Sequence, residues 1–278
     1  MTVPDVGLSS ADAAALRRMS VIEHLRELRR RVAVSALAYL LGVGAAYALW
    51  EPIYAFLRQP YCATRLGAKS CDLYVLGVFD PFQIRMRIAF LAGAVISAPI
   101  WTFQLGRFIT PALHRHEKKY AAIFSAAGLT LFGAGVTMAY LTIAHGLELF
   151  LEVGGQHVLP LVTLQSYLSF MTLLMLAFGL AFQFPLVVLF LNLTGVLSAD
   201  RMRSSRKVAI FVVLLVSAVL VPTTDPFTFL AMGVPMALLY EACIVIARLR
   251  ERRQRQRAAI AQAQLDADYQ LEDLSAGL

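Results

Sequence analysis

The sequence predicts an all-α polytopic membrane protein of six spanning helices, with both termini on one side and the last two spans short. Three observations carry this expectation. The 278 residues are 59% apolar and 15% charged, with a mean hydropathy of +0.66, whereas soluble domains run nearer about 45–50% apolar and about a quarter charged. The charges punctuate long apolar runs instead of scattering among them. The basic residues are concentrated in alternate loops, the bias that orients a chain in a bilayer. An ordinary soluble domain, a disordered chain and a fibrous repeat are excluded. The net charge of +7 belongs to those loops, so no nucleic acid is implied.

Three regions follow: a cytoplasmic segment over 1–31, a six-helix membrane domain over 32–247 and a basic, then acidic, tail over 248–278. Residues 19–31 read as an amphipathic helix. Ser20 and Glu23 make a capping box, and Val21, Leu25, Leu28 and Val32 repeat at helical spacing as a stripe for a membrane surface. Residues 1–31 hold no apolar stretch of the signal-peptide kind, so the first span is expected to act as its own insertion signal. Charge is absent over 32–50, 88–106, 120–147 and 153–199. The last of these exceeds one helix, so a loop ending near Pro160 should precede a span over 167–193. Residues 208–224 and 227–247 make two short final spans, joined by a turn that Pro222 and Pro226 favour. The tail is expected to fray into disorder.

An even number of spans puts both ends on one side. Twenty Lys and Arg fall in the N-terminal segment, the loops after spans two and four and the tail, against three (Arg58, Arg65, Lys69) in the opposite loops. Arg85 and Arg87 complete the 25 at the start of span two. The bias orients both termini to the cytoplasm.

Cys62 and Cys71 share the first outer loop, where a disulfide can persist outside a bacterial inner membrane. A bridge between them and a pair of free thiols are both open readings; Cys243, alone in span six, reads as packing. No metal site is expected: His116-Glu117 is followed by Lys118, Lys119 and Tyr120, so the H-E-x-x-H pattern fails. Glu27 can pair with Arg31 at i, i+4 or offer its carboxylate to a ligand. Glu117 is the one carboxylate in a strongly basic loop. Gln183 lies ten residues before Leu193, about 15 Å into the membrane, where an amide wants a partner on another helix. Pro185 should kink that span. Glu241, near the inner end of span six, is an intramembrane acid and a functional candidate by position.

Four segments, over 22–31, 108–117, 167–185 and 222–241, resemble the TatC family, the multispanning receptor component of the twin-arginine protein translocase. They lie in register across most of the chain. The resemblance implies recognition of paired-arginine signal peptides and export of folded proteins driven by the proton-motive force. It also implies single-span TatA-type and TatB-type partners, self-association in a larger complex, no cofactor, and a place in the bacterial cytoplasmic membrane. The family's two signal-binding acids fall on Glu27 and Glu117. Two guanidinium groups call for two carboxylates, each held bidentately, and lysine is not equivalent there. Arg29, Phe108 and Arg115 match neighbouring motif positions, Pro60 the family's outer-loop proline and Asp225 its acid before span six. Gln183 departs from the pattern, standing where the family often has Glu; it keeps hydrogen-bonding capacity without charge. A small-solute transporter would want repeats and several mid-membrane ionisable groups. An intramembrane enzyme would want a nucleophile or a metal cluster, and neither pattern is in the chain.

Overall fold

The computed structural model describes residues 21–64, 71, 73–109, 117–153, 162–220 and 226–276. Ten helices run through them. The first, α1 (Val21–Ala48), is one 28-residue helix, so the amphipathic segment expected over 19–31 continues directly into the first span. Ser20 of the expected capping box lies outside the described residues. Leu25–Ala48 is long and apolar enough to cross a bilayer. Its Leu37, Leu40 and Leu41 face outward, which suits lipid and not water.

The chain breaks at Leu49 and enters α2 (Trp50–Cys62), where a loop was expected. The helix forms because Ile53, Tyr54, Leu57 and Tyr61 share one face and pack into the core. Tyr167 fixes it by donating a hydrogen bond to the Leu57 carbonyl at 2.7 Å. Tyr74 and Thr163 form an isolated parallel bridge, with the Leu164 amide donating to the Tyr74 carbonyl at 2.9 Å.

The second crossing is a bent pair, α3 (Asp80–Ile96) and α4 (Ala98–Ile109), meeting at 50°. Pro99, just past the break, lacks the N–H a continuous helix would need. The crossing thus starts earlier than the charge-free run over 88–106, and Arg85 and Arg87 lie inside α3. α1 and α3 meet backbone to backbone: a Cβ on Gly42 would sit 2.9 Å from the Gly93 carbonyl oxygen, and one on Gly93 2.8 Å from the Val43 amide nitrogen. Small residues permit such close helix contact in membranes.

Next come α5 (Glu117–Val153), α6 (Leu164–Ala181) and α7 (Phe184–Leu193). α6 and α7 form one 30-residue apolar stretch, interrupted at Phe182 and Gln183, with Pro185 in the first turn of α7. This is the break expected from Pro185. α6 is the central element; Tyr167, Leu168, Met171, Leu174 and Phe178 are essentially fully buried. α7 ends at Gly195, whose φ of +79° suits glycine, with the Leu197 amide returning to the Leu191 carbonyl at 3.0 Å.

The short α8 (Ala199–Ser204) starts at Ser198, whose hydroxyl accepts from the Arg201 amide. α9 (Arg206–Leu220) has 15 residues, about 22 Å and less than a bilayer core. By length and composition four helices can cross a membrane, five with the bent pair; the remaining expected span, the fifth in chain order, is α9, one of the two expected to be short. α10 (Pro226–Ala276) is 51 residues long. It carries the final apolar stretch and then the tail, which stays helical to Ala276 instead of fraying.

Candidate functional site

Glu27 lies two residues into the part of α1 that qualifies as a span, Leu25–Ala48. Its Oε1 accepts from the Arg31 guanidinium one helical turn on. Its Oε2 is buried and has no hydrogen-bond partner among the described residues. Leu28 and Arg31 line a cavity of about 400 Å³ between α1 and the bent pair, together with Tyr39, Trp101, Gln104 and Phe108. Phe108 is half-buried there at the end of α4, and Arg29 is exposed. The structure thus brings Glu27 and Phe108 to one end of the bundle. Glu117 opens α5; its side chain is outside the described set, as is Arg115.

Gln183, at the α6–α7 break, donates through Nε2 to the Gly128 carbonyl of α5 at 2.9 Å. This is the interhelical hydrogen bond its position asked for. Its Oε1 is buried and unpartnered among the described residues. The same side chain borders a cavity of about 340 Å³ lined by Val187, Val212, Val216 and Met236. Glu241 of α10 forms an ion pair with Arg206 of α9, so this acid is neutralised by a neighbouring helix. Pro60 is buried within α2. Cys62 and Cys71 are paired, with Cα atoms 5.0 Å apart. Asp225 lies outside the described residues.

Sequence reasoning missed a polar knot around Asn192, which is buried at the end of α7. Glu251 Oε1 accepts from Asn192 Nδ2 at 2.9 Å and from the Ala199 amide at 2.7 Å. Arg250 donates to the Asn192 and Leu193 carbonyls at 3.2 and 3.3 Å. A helix C-terminus thus receives a cation and a helix N-terminus an anion, as the backbone dipoles favour. The one available signal was Asn192 itself, a polar side chain near the end of a long apolar run.

Lipid-length helices that turn Leu and Val outward define a multi-pass membrane protein. Its relatives are specific. A family model described as "Sec-independent protein translocase protein (TatC)" matches residues 23–235. The TatC protein of Frankia casuarinae is 44% identical over 246 residues, covering 85% of this chain and 67% of that relative. The TatC protein of Aquifex aeolicus is 32% identical over 238 residues, covering 84% and 97%. A crystal structure of the twin arginine translocase receptor TatC in DDM superposes with a TM-score of 0.70 at 32% identity, covering 81% of this chain and 99% of that one. The chain spans about two thirds of the Frankia relative and 63% of one from Corynebacterium kroppenstedtii. The chain belongs to the TatC family and is a protein translocase component, not an enzyme.

Proposed function

We propose that this chain is the receptor core of a twin-arginine export system. In this reading it spans the bacterial cytoplasmic membrane six times with both termini inside. Glu27 and Glu117 each hold one guanidinium of a paired-arginine signal peptide at the cytoplasmic face. Arg29, Phe108 and Arg115 shape that site. Single-span TatA-type and TatB-type subunits then join, the complex self-associates, and the proton-motive force drives translocation of the folded cargo. Gln183 and Asp225 are contact positions for those partners, and Pro60 shapes the outer loop.

One observation supports the recognition step above the rest. Glu27 has one carboxylate oxygen engaged by Arg31 and the other buried with no partner among the described residues. A buried acceptor left unpaired costs about 1–3 kcal/mol, and an incoming guanidinium would remove that cost. The adjoining apolar cavity offers space for the residues flanking the arginines. The test is crosslinking from a photoreactive probe on a paired-arginine peptide to the purified protein in membranes. Glu117→Ala and Glu27→Ala should each abolish the adduct, and Glu117→Asp should keep part of it. Adducts of wild-type yield in both alanine variants would overturn the reading.

A further inference from the structure

The end of the bundle that carries Cys62 and Cys71 holds a ladder of cations and rings. The Arg85 guanidinium lies over the Trp50 ring at 4.1 Å and faces Tyr47 at 6.0 Å. Trp50 stacks on Tyr54 with centroids 5.9 Å apart, and Arg58 lies over Tyr54 at 5.8 Å. The order is Arg85, Trp50, Tyr54, Arg58. Among the described residues neither arginine has an ion pair or a hydrogen bond, so two positive charges are held in place without an acid. The nearest acid in sequence to Arg85, Asp80, is occupied by the Gly77 amide at 2.8 Å. The ladder borders a cleft of about 530 Å³. Val75 and Phe82 on its rim are exposed, whereas Ile84 and Leu164 form its floor.

The position along the chain decides what can meet this ladder. Trp50 ends the charge-free run of the first span, the level at which tryptophan and tyrosine gather at a membrane interface. Arg85 lies five residues into α3, about 8 Å along its axis. Cations that close to hydrocarbon reach toward the headgroup layer. Their flat guanidinium faces are taken by the rings. Their N–H edges are free, and those edges are the part that binds phosphate oxygens.

We propose that this ladder and cleft form a binding site for an anionic glycerophospholipid, with the phosphate on the Arg85 edge, an acyl chain entering between Phe82 and Leu164, and Arg58 at the far end of the ladder adding positive charge along the headgroup layer. Two unneutralised charges select a lipid of net negative charge over a zwitterionic one. An apolar cleft beside them selects a lipid over free phosphate. The rings hold the guanidiniums in place before the lipid arrives, which reduces the ordering cost of binding.

Native mass spectrometry of the detergent-purified full chain tests this directly. The protein is titrated with an equimolar mixture of palmitoyl-oleoyl phosphatidylglycerol and palmitoyl-oleoyl phosphatidylcholine. The wild type should retain phosphatidylglycerol preferentially, by about five-fold for each basic group engaged. Arg85→Gln should lose about five-fold of that preference, with its helical circular dichroism and gel-filtration profile unchanged. Arg58→Gln, at the exposed end of the ladder, gives the same readout should Arg85→Gln not fold. Equal retention of the two lipids by the wild type would overturn the proposal. So would an unchanged preference in the folded variants, or full displacement of the lipid by millimolar inorganic phosphate.

Discussion

Replacing Glu251 by alanine should loosen the α8–α9 segment from the long helix α10. Glu251 Oε1 accepts two bonds, from Asn192 Nδ2 at 2.9 Å and from the Ala199 amide at 2.7 Å. Hydrogen bonds to a charged group contribute about 1.5–3 kcal/mol each. Asn192 keeps a second acceptor, the Leu197 carbonyl at 2.8 Å, so the loss there is partial. Arg250 also continues to hold the end of α7. The net cost is about 2 kcal/mol, a roughly thirty-fold rise in the opened population. Limited trypsin digestion in mild detergent reads that population at Arg201, Arg203 and Arg206, which flank the α8–α9 junction. Cleavage there should accelerate by about that factor while cleavage elsewhere is unchanged. Glu251→Gln keeps an acceptor oxygen and should lose less than half as much. Wild-type cleavage rates and wild-type stability in Glu251→Ala would refute the reasoning.

Gln183→Leu removes a bond of about 0.6 kcal/mol, typical between membrane helices, and also removes a buried unpartnered oxygen. Thermal unfolding in detergent should therefore be unchanged or slightly raised, and export should weaken with peptide recognition intact. A silent effect on export would leave Gln183 a packing residue. Gly93→Ala forces a Cβ within 2.8 Å of the Val43 amide nitrogen and should cost about 1–3 kcal/mol through overpacking. Gly44→Ala, where a Cβ meets nothing within 4 Å, should be neutral in the same unfolding assay. A non-reducing digest analysed by mass spectrometry should recover the Cys62 and Cys71 peptides as one species. Recovery of both as free thiols would remove the bridge.

Much of this architecture was legible because a bilayer imposes a coarse rule: a run of about twenty uncharged residues becomes a helix. That rule located α1, α5, the α6–α7 stretch and the apolar part of α10. It also flagged Pro185, whose missing N–H marks the break beside Gln183. It failed where tertiary packing decides. α2 was missed because Glu51, Arg58, Gln59 and Pro60 interrupt it and read as loop, although Ile53, Tyr54, Leu57 and Tyr61 recur at helical spacing. The second crossing bends by 50° at the break before Pro99, and the close approach of Gly42 and Gly93 joins residues far apart in the chain. The start of the tail is tied to the bundle through Arg250 and Glu251, which meet Asn192 and Ala199 in contacts that join residues more than fifty positions apart. At the candidate site, Glu27 and Gln183 were legible as polar groups in apolar surroundings. Their unpartnered oxygens required coordinates. The partner of Glu241 was not legible, since Arg206 reads as one of many basic loop residues.

The central claim is that two carboxylates read two guanidiniums, and its most direct measurement is a pair of dissociation constants. Fluorescent signal peptides bearing Arg-Arg and Lys-Lys are titrated into the same nanodisc-embedded protein. Arg-Arg should bind at least about ten-fold tighter, the loss of one bidentate geometry being worth about 1.4 kcal/mol or more. That preference should vanish in the Glu27→Gln, Glu117→Gln double variant. Equal affinities for the two peptides in the wild type would contradict the account.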